Sequence, residues 1–291
     1  MKKEAGIPYL SVCILALIAA GCLGAGLISP YAPEDMSLDE IGAPPGGTHP
    51  FGTDTLGRDL FSVIWYGGRI SIAIGLWATV ISTAIAILYG TVAGLASDRV
   101  DDLMMRLAEI LMSVPQLLLV IFLQAMMGEA TVLSVSAVIG LTGWMAIAKM
   151  IRSDVKQLRS AGFVLAARTM GGGFFYILRK HLMPGFLPGI LFMIVTNIGG
   201  AMAMEATLSF LGVGFPAGVI SWGSLMSLSQ RALLTGAWWM LLIPGAFLVT
   251  TLICITQIGE YLRIRNRRDR LMPAAGRSRW MTKEEGRSRL R

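Results

Sequence analysis

The residues best able to do chemistry in this chain are few, and they lie where apolar sequence dominates. Glu205 stands inside the apolar run 186–211, and a carboxylate at bilayer depth is costly enough to be a functional candidate by default. The competing reading is that Glu205 faces a neighbouring helix or a wet vestibule and is satisfied by local donors. It has no companions at helical spacing, so the pattern is not that of a proton relay. Cys13, Cys22 and Cys254 sit singly in apolar runs, as small core hydrophobes do, without disulfide or metal spacing. The two histidines, His49 and His181, fall on opposite membrane faces in the topology derived below. The 18 methionines, as in AMAMEA at 201–206, suit adaptable packing rather than metal ligation.

Several chemistries have no signature at all. No G-x-x-x-x-G-K-[ST] phosphate loop is present, and the glycines 171–173 lead into Phe174 and Phe175 rather than Lys-Ser or Lys-Thr. There is no G-x-S-x-G elbow, no H-E-x-x-H pair, and no Ser, His and Asp grouping on one membrane face. If this chain moves a solute uphill, the energy source must lie on another subunit.

The elements that position these residues follow from composition. Of 291 residues 54% are hydrophobic and only 15% charged, with a mean hydropathy of +0.65. A soluble domain carries about a quarter charged residues, so the bilayer is the expected solvent. Crossing roughly 30 Å of hydrocarbon takes about 20 apolar residues. Six runs qualify: 7–28, 70–95, 107–127, 132–151, 186–211 and 238–262. The first follows Lys2 and Lys3 and is longer than the roughly 7–15 residues of a signal-peptide core, so it reads as a retained anchor.

An even number of spans puts both termini on the side of Lys2 and Lys3. The outer segment 29–69 then holds Glu34, Asp35, Asp39, Glu40, Asp54 and Asp59 against Arg58 and Arg69. The inner segment 152–185 holds Arg152, Lys156, Arg159, Arg168, Arg179 and Lys180 against Asp154 alone, as the positive-inside rule expects. The short loop 97–106 is mixed in charge. The tail 263–291 carries eleven Lys or Arg against three acids, which accounts for the net charge of +7. Such a tail beside a span reads as an orientation signal and a contact for anionic membrane lipid, not as a nucleic-acid site.

The inner stretch VLAARTMGGGFFYILRKHLMP, 164–184, is too apolar for a connector. A helix over 163–170 is closed by glycines. A second helical run over 174–181 stops before Pro184. Phe174, Phe175, Ile177, Leu178 and Leu182 would pack the two into a compact knob. On the outer side, Asp54 and Gly57 suit turns and caps, and LFSVIWYGGRI at 60–70 reads as an amphipathic interfacial helix lying on the membrane.

Leu165-Ala166-Ala167, then Gly171, Leu182 and Pro184, resemble the EAA loop of ABC-importer permeases. The spacing matches: a glycine four residues beyond the last alanine and a proline thirteen beyond that. Leu165 stands where that loop has Glu. Three further stretches resemble the dipeptide, oligopeptide and nickel permease family, in its second, C-type permease: HPFGTDTLGRDLFSVIWYGGRIS at 49–71, EATLSFLGVGFP at 205–216 with SWG at 221–223, and 238–263 with Pro244-Gly245. Thr256 and Glu260 depart from the common Asn and Asp, and the Asp-Pro that often follows the last span is missing.

The resemblance implies an all-α membrane protein with six transmembrane helices in the type I ABC-importer permease fold. The chain then divides into an N-terminal anchor (1–29), an extracytoplasmic segment with its interfacial helix (30–69), a permease core (70–262, with the coupling loop at 152–185) and a basic cytoplasmic tail (263–291). It would sit in the inner membrane with both termini cytoplasmic. Implied partners are a second homologous permease, two ABC ATPases carrying ATP and Mg, and an extracytoplasmic solute-binding protein; no cofactor belongs to this chain, which is not an enzyme. The helix 161–172 would couple to an ATPase through Leu165, Ala166, Ala167, Arg168, Gly171, Leu182 and Pro184. Glu205, Ser209 and Phe210 become candidates for a path or gate, and Asp54, Gly57, Arg58, Asp59 and Trp222 for binding-protein or interfacial contacts. Cargo on this reading is a di- or oligopeptide, with nickel or a metal chelate as alternative. A secondary transporter or a membrane scaffold are the readings from other classes.

Overall fold

A computed structural model describes residues 8–216 and 218–271, with every side chain of these except those of Arg168, Arg231 and 267–271. Lys2, Lys3 and the tail beyond residue 271 lie outside the described residues. Those described are helical or irregular, with one isolated antiparallel bridge between Thr53 and Asp59.

Helix α1 (Tyr9–Leu23) breaks at Gly24 and resumes as α2 (Ala25–Ile28). It packs on α3 (Leu60–Leu95) and on the last helix, α12 (Trp239–Leu271). Ser11 Oγ donates to Gln257 Oε1 at 2.5 Å. Arg69 donates to the carbonyls of Cys22 and, at 2.7 Å, of Leu23, closing acceptors that a helix end leaves open. The following segment holds one 3-10 turn, Leu38–Glu40.

The 36-residue α3 runs unbroken from its cap at Asp59. The interfacial helix expected over 60–70 is therefore the first part of a rod. Leu60, Val63 and Ile64 are fully buried, in one cluster with Ile18 of α1, Trp222 and Leu248 of α12. The amphipathic face meets other helices instead of the membrane surface. Lipid tails give little hydrophobic drive to helix pairing, so small residues at close approach matter most. Along α3, buried Ala78, Ser82, Ala86, Gly90 and Gly94 form such a stripe, against which α6 (Val132–Thr142) and α7 (Met145–Leu158) pack.

Between them, α4 (Asp98–Ser113) and α5 (Gln116–Met127) meet at 86°. The sequence pattern predicts a straight span over 107–127. Pro115 disfavours helical geometry at the residue before it, and Val114 is extended, with ψ 131°. Helices α6 and α7 form a second bent pair, at 46° across Gly143 and Trp144.

The knob comprises α8 (Gly162–Thr169) and α9 (Phe174–Ile177). A π turn, Leu178–Leu182, joins α9 to α10 (Met183–Phe210), and 174–210 form one apolar rod. The stop expected before Pro184 is thus absent. Pro184 lacks an N–H and would crowd the carbonyl four residues back; the wider π turn just before it takes up that misfit. After α10 come α11 (Trp222–Leu228), a 3-10 turn (Gln230–Thr235) and α12. The six apolar runs of the sequence map onto α1–α2, α3, α4–α5, α6–α7, α10 and α12.

Candidate functional site

Among the described residues, three groups bear on function: a polar cluster at the N-terminal end of α3, a second around Glu205, and a knob at the other end of α3. At the N-terminal end of α3 the chain turns at Gly57, whose φ is +74°. A Cβ there would stand 1.9 Å from the Ser37 carbonyl oxygen, so both conformation and space require glycine. Asp54 Oδ1 accepts from the amides of Leu56 and Arg58 at 2.8 and 3.0 Å, and its Oδ2 accepts from Arg58 Nε at 2.7 Å. Asp59 Oδ2 caps α3 by accepting from Ser62 N and Oγ at 2.8 and 2.7 Å. Asp54, Arg58 and Asp59 are all buried. Their burial and the bonds they make inside this chain favour the turn-and-cap reading of these residues over contact with a binding protein. Trp222 is likewise fully buried, its Nε1 donating to Ile64 O at 2.9 Å.

His49 is the residue the sequence leaves unexplained. Its Nδ1 faces Asp59 Oδ1 at 2.9 Å and its Nε2 faces Glu40 Oε2 at 3.2 Å. Only the imidazolium has a proton for each carboxylate. The Asp59 hydrogen bond first, then Glu40, pushes the histidine pKa above its ordinary value against the opposing effect of burial. A raised folded-state pKa means that the stabilisation is complete below the ordinary histidine value and fades as pH rises through the raised one. Between pH about 6 and about 9, Tm of the parent is expected to fall by about 2–4 °C more than Tm of His49→Gln. Parallel Tm curves for the two proteins would refute the imidazolium clamp.

Glu205 forms the second constellation, buried where α10, α3 and α11 meet. Its Oε1 accepts from Ser221 Oγ at 2.6 Å and Ser209 Oγ at 2.9 Å, and its Oε2 lies 3.5 Å from Ser71 Oγ. Ser221 Oγ also accepts from Ser224 N at 2.9 Å, and Ser224 Oγ from Ser221 N at 2.8 Å, a capping box at the start of α11. Glu205 and the buried Ser209 are enclosed by the subunit's own helices, whereas Phe210 is exposed at the end of α10. Glu205→Ala removes the acceptor for these hydroxyls and is expected to cost about 2 kcal/mol, while Glu205→Gln costs less than half of that. Thermal unfolding in detergent measures both; equal Tm values for the two variants would contradict the hub role.

The third constellation is the knob at the opposite end of α3. Gly171 has φ +82°, and Gly172 N donates to Ala167 O at 2.9 Å, the closing bond of a Schellman cap on α8. Buried Val164 and Ala167 turn inward with Ile177, Leu178 and Leu182. Outward stand Phe163, Leu165, Met170 at 87% exposure, Phe175 at 74% and Tyr176. Ala166 and Pro184 are also exposed. The side chain of Arg168 lies outside the described residues. Leu165, where the resembled loop has Glu, adds to the outward apolar face.

What sequence reasoning missed is the fastening behind the knob. Asp101 of α4 is fully buried; it accepts from Arg152 Nε and Nη2 at 2.6 and 2.5 Å and also pairs with Lys156. Lys149 pairs with Glu109 at 3.0 Å. The signal was legible: Arg152 and Lys156 are four apart on one helix face, and an acid-rich loop lies within reach.

Continuous and bent apolar rods around α3, with an exposed knob interrupting the bundle, are the architecture of a polytopic membrane protein. Residues 86–268, from the last third of α3 through most of α12, match the family described as binding-protein-dependent transport system inner membrane component, and the chain belongs to that family. It is 38% identical to the dipeptide transport system permease protein DppC of Bacillus subtilis (strain 168), over 81% of this chain and 73% of that protein. It is 36% identical to the oligopeptide transport system permease protein OppC of the same organism, over 88% and 84%. Among solved structures it superposes, with a TM-score of 0.54 at 17% identity, on a chain of the inward-facing MetNI methionine ABC transporter, over 70% of this chain and 96% of that one. The last likeness bears on fold alone.

Proposed function

We propose that this chain forms half of the route by which an ATP-driven importer takes up di- or oligopeptides, paired with a second, homologous permease. The similarity to DppC and OppC supports the cargo class. The observation that carries the mechanism is the two-sided α8, with one face packed into the subunit and the other apolar and exposed. An exposed apolar patch of this kind suits a groove on a soluble partner. In this reading the partner is one of two ATPases, which hold ATP and Mg, and the knob lies in the cytoplasm together with both termini.

Closure of the ATPase pair around ATP would push α8. Because α7 is pinned to α4 through Asp101, the push passes into the bent pairs rather than into a hinge at the knob. Nucleotide then biases a two-state equilibrium between inward-open and outward-open arrangements. An extracytoplasmic binding protein delivers the peptide at the other end, near the 30–59 segment. Purification in mild detergent tests the reading: ATPase subunits should co-purify, and mass spectrometry of the associated binding protein should find short peptides. A chain that transports peptide without any ATPase would overturn it.

A further inference from the structure

At the depth where α3 is half-way along its length, Thr79 and Ser82 turn toward α10. Asn197 Nδ2 donates to Ser82 Oγ at 2.7 Å and lies 3.4 Å from Thr79 Oγ1. On the neighbouring side, Gln116 Nε2 lies 3.4 Å from Thr142 Oγ1. Gln116 opens α5 and Thr142 closes α6, so the breaks in both bent pairs meet here. Gly143 lies between the two amides: a Cβ on it would stand 3.6 Å from Asn197 Oδ1 and 3.7 Å from Gln116 Nε2, so at most about 7 Å separates those atoms.

Each amide is thus held by its nitrogen. Oε1 of Gln116 and Oδ1 of Asn197 have no hydrogen-bond partner among the described residues, with Gln116 exposed and Asn197 half-buried. Exposed amides at mid-depth would forgo hydrogen bonds if they faced hydrocarbon. A non-helical backbone, here Val114 and Pro115, is tolerated at that depth only where it is covered by protein or lines a watery cavity. Both features therefore argue that this surface faces something other than lipid.

We propose that Gln116 and Asn197 line the cargo route and hydrogen-bond the main-chain amides of a peptide in transit. Their free carbonyl oxygens accept from peptide N–H groups, and the N–H of Gln116 that is not turned to Thr142 donates to a peptide C=O, whereas both N–H groups of Asn197 are taken by Ser82 and Thr79. Thr79, Ser82 and Thr142 hold the amides in place from behind. None of the five is charged, so the contact reads the peptide backbone and ignores the charge of its side chains. Bonds of this neutral kind are weak enough for the cargo to leave, as passage through a route demands. The chemical class of the ligand rests on the peptide reading above; the position of the route does not.

The test uses the whole importer in proteoliposomes, with Cys13, Cys22 and Cys254 replaced by alanine. Gln116→Cys and Asn197→Cys are treated with a water-soluble thiosulfonate, with Leu17→Cys on the outer face of α1 as a lipid-side control. The two route positions should react in the nucleotide-free or the ATP-trapped state and the control in neither. Combined Gln116→Leu and Asn197→Leu should lower uptake of a radiolabelled tripeptide by about tenfold while binding-protein-stimulated ATPase stays within about twofold, and Gln116→Asn with Asn197→Gln should restore most of the uptake. No labelling in any state, meaning that lipid or the second permease covers the site, overturns the inference, and so does leucine-variant uptake within about twofold of the parent. Route labelling in an importer whose unsubstituted form takes up no peptide leaves the route standing; it refutes the peptide reading and the hydrogen-bonding role with it.

Discussion

Asp101→Ala is expected to lower the stability of the subunit by about 3 kcal/mol, seen as a fall in Tm of about 8 °C in detergent. Removing this carboxylate leaves Arg152 and Lys156, which now converge on it, facing each other without the acceptor they share. The estimate sits at the low end for a broken buried pair because the two cations are 26% and 30% exposed and keep part of their hydration. The functional loss should exceed the thermodynamic one. Only residues 159–161 separate α7 from α8, so a loosened α7 lets the knob yield when pushed. In the assembled importer, the variant should hydrolyse ATP without matching uptake. Arg152→Ala, which leaves Asp101 paired with Lys156, should show a smaller version of both effects. Unchanged coupling in a destabilised Asp101→Ala importer would mean that the clamp supports the fold and not the stroke.

Gly171→Asp should abolish peptide uptake, by about 100-fold or more, while the subunit still assembles. Nothing stands within 4 Å of a Cβ at this position, so the substitution meets no steric wall. The cost lies in the backbone, since φ +82° is a left-handed conformation that a side chain disfavours by about 1–2 kcal/mol. It lies also in a charge set beside Met170 and the other outward apolar residues, which must be desolvated when a groove closes over them. Gly171→Asn separates the two, because Asn accepts the left-handed conformation and carries no charge. Uptake should partly survive in the Asn variant. Normal uptake by Gly171→Asp, measured with ATPase stimulation in the same vesicles, would rule out docking through the knob.

How much of this was legible depended on what kind of signal each feature leaves in the chain. Hydropathy found the three long apolar helices and the two bent pairs, because bilayer solvation acts on every residue of a span, and the first run proved to be the shorter apolar helix α1. It did not find the 86° bend at Pro115, since the apolar run continues on both sides and composition carries no direction. The helix over 60–70 was recognised, but its setting was misread: an amphipathic face looks the same whether it meets a membrane surface or the small-residue faces of other helices. Pro184 was read as a stop because a proline's usual effect is local, whereas the π turn that accommodates it is held by packing of Leu178 and Leu182. Asp54 and Gly57 were readable as turn and cap residues from local rules alone. The Glu205 hub required Ser71 and Ser221, which lie 134 and 16 residues away in sequence. The amides of Gln116 and Asn197 escaped notice because neutral polar residues barely disturb a hydropathy profile.

The seating of α1 has a consequence for how the protein is made. Helix α1 leaves the ribosome long before α12, yet the two end up packed together through Ser11 and Gln257. Until α12 has entered the membrane, that face of α1 has no partner, and the Ser11 hydroxyl has no acceptor there. Contacts between distant parts of a chain form slowly and leave partial structures exposed meanwhile. A chain cut short before α12 therefore displays an open, polar-marked seam along α1 in the bilayer.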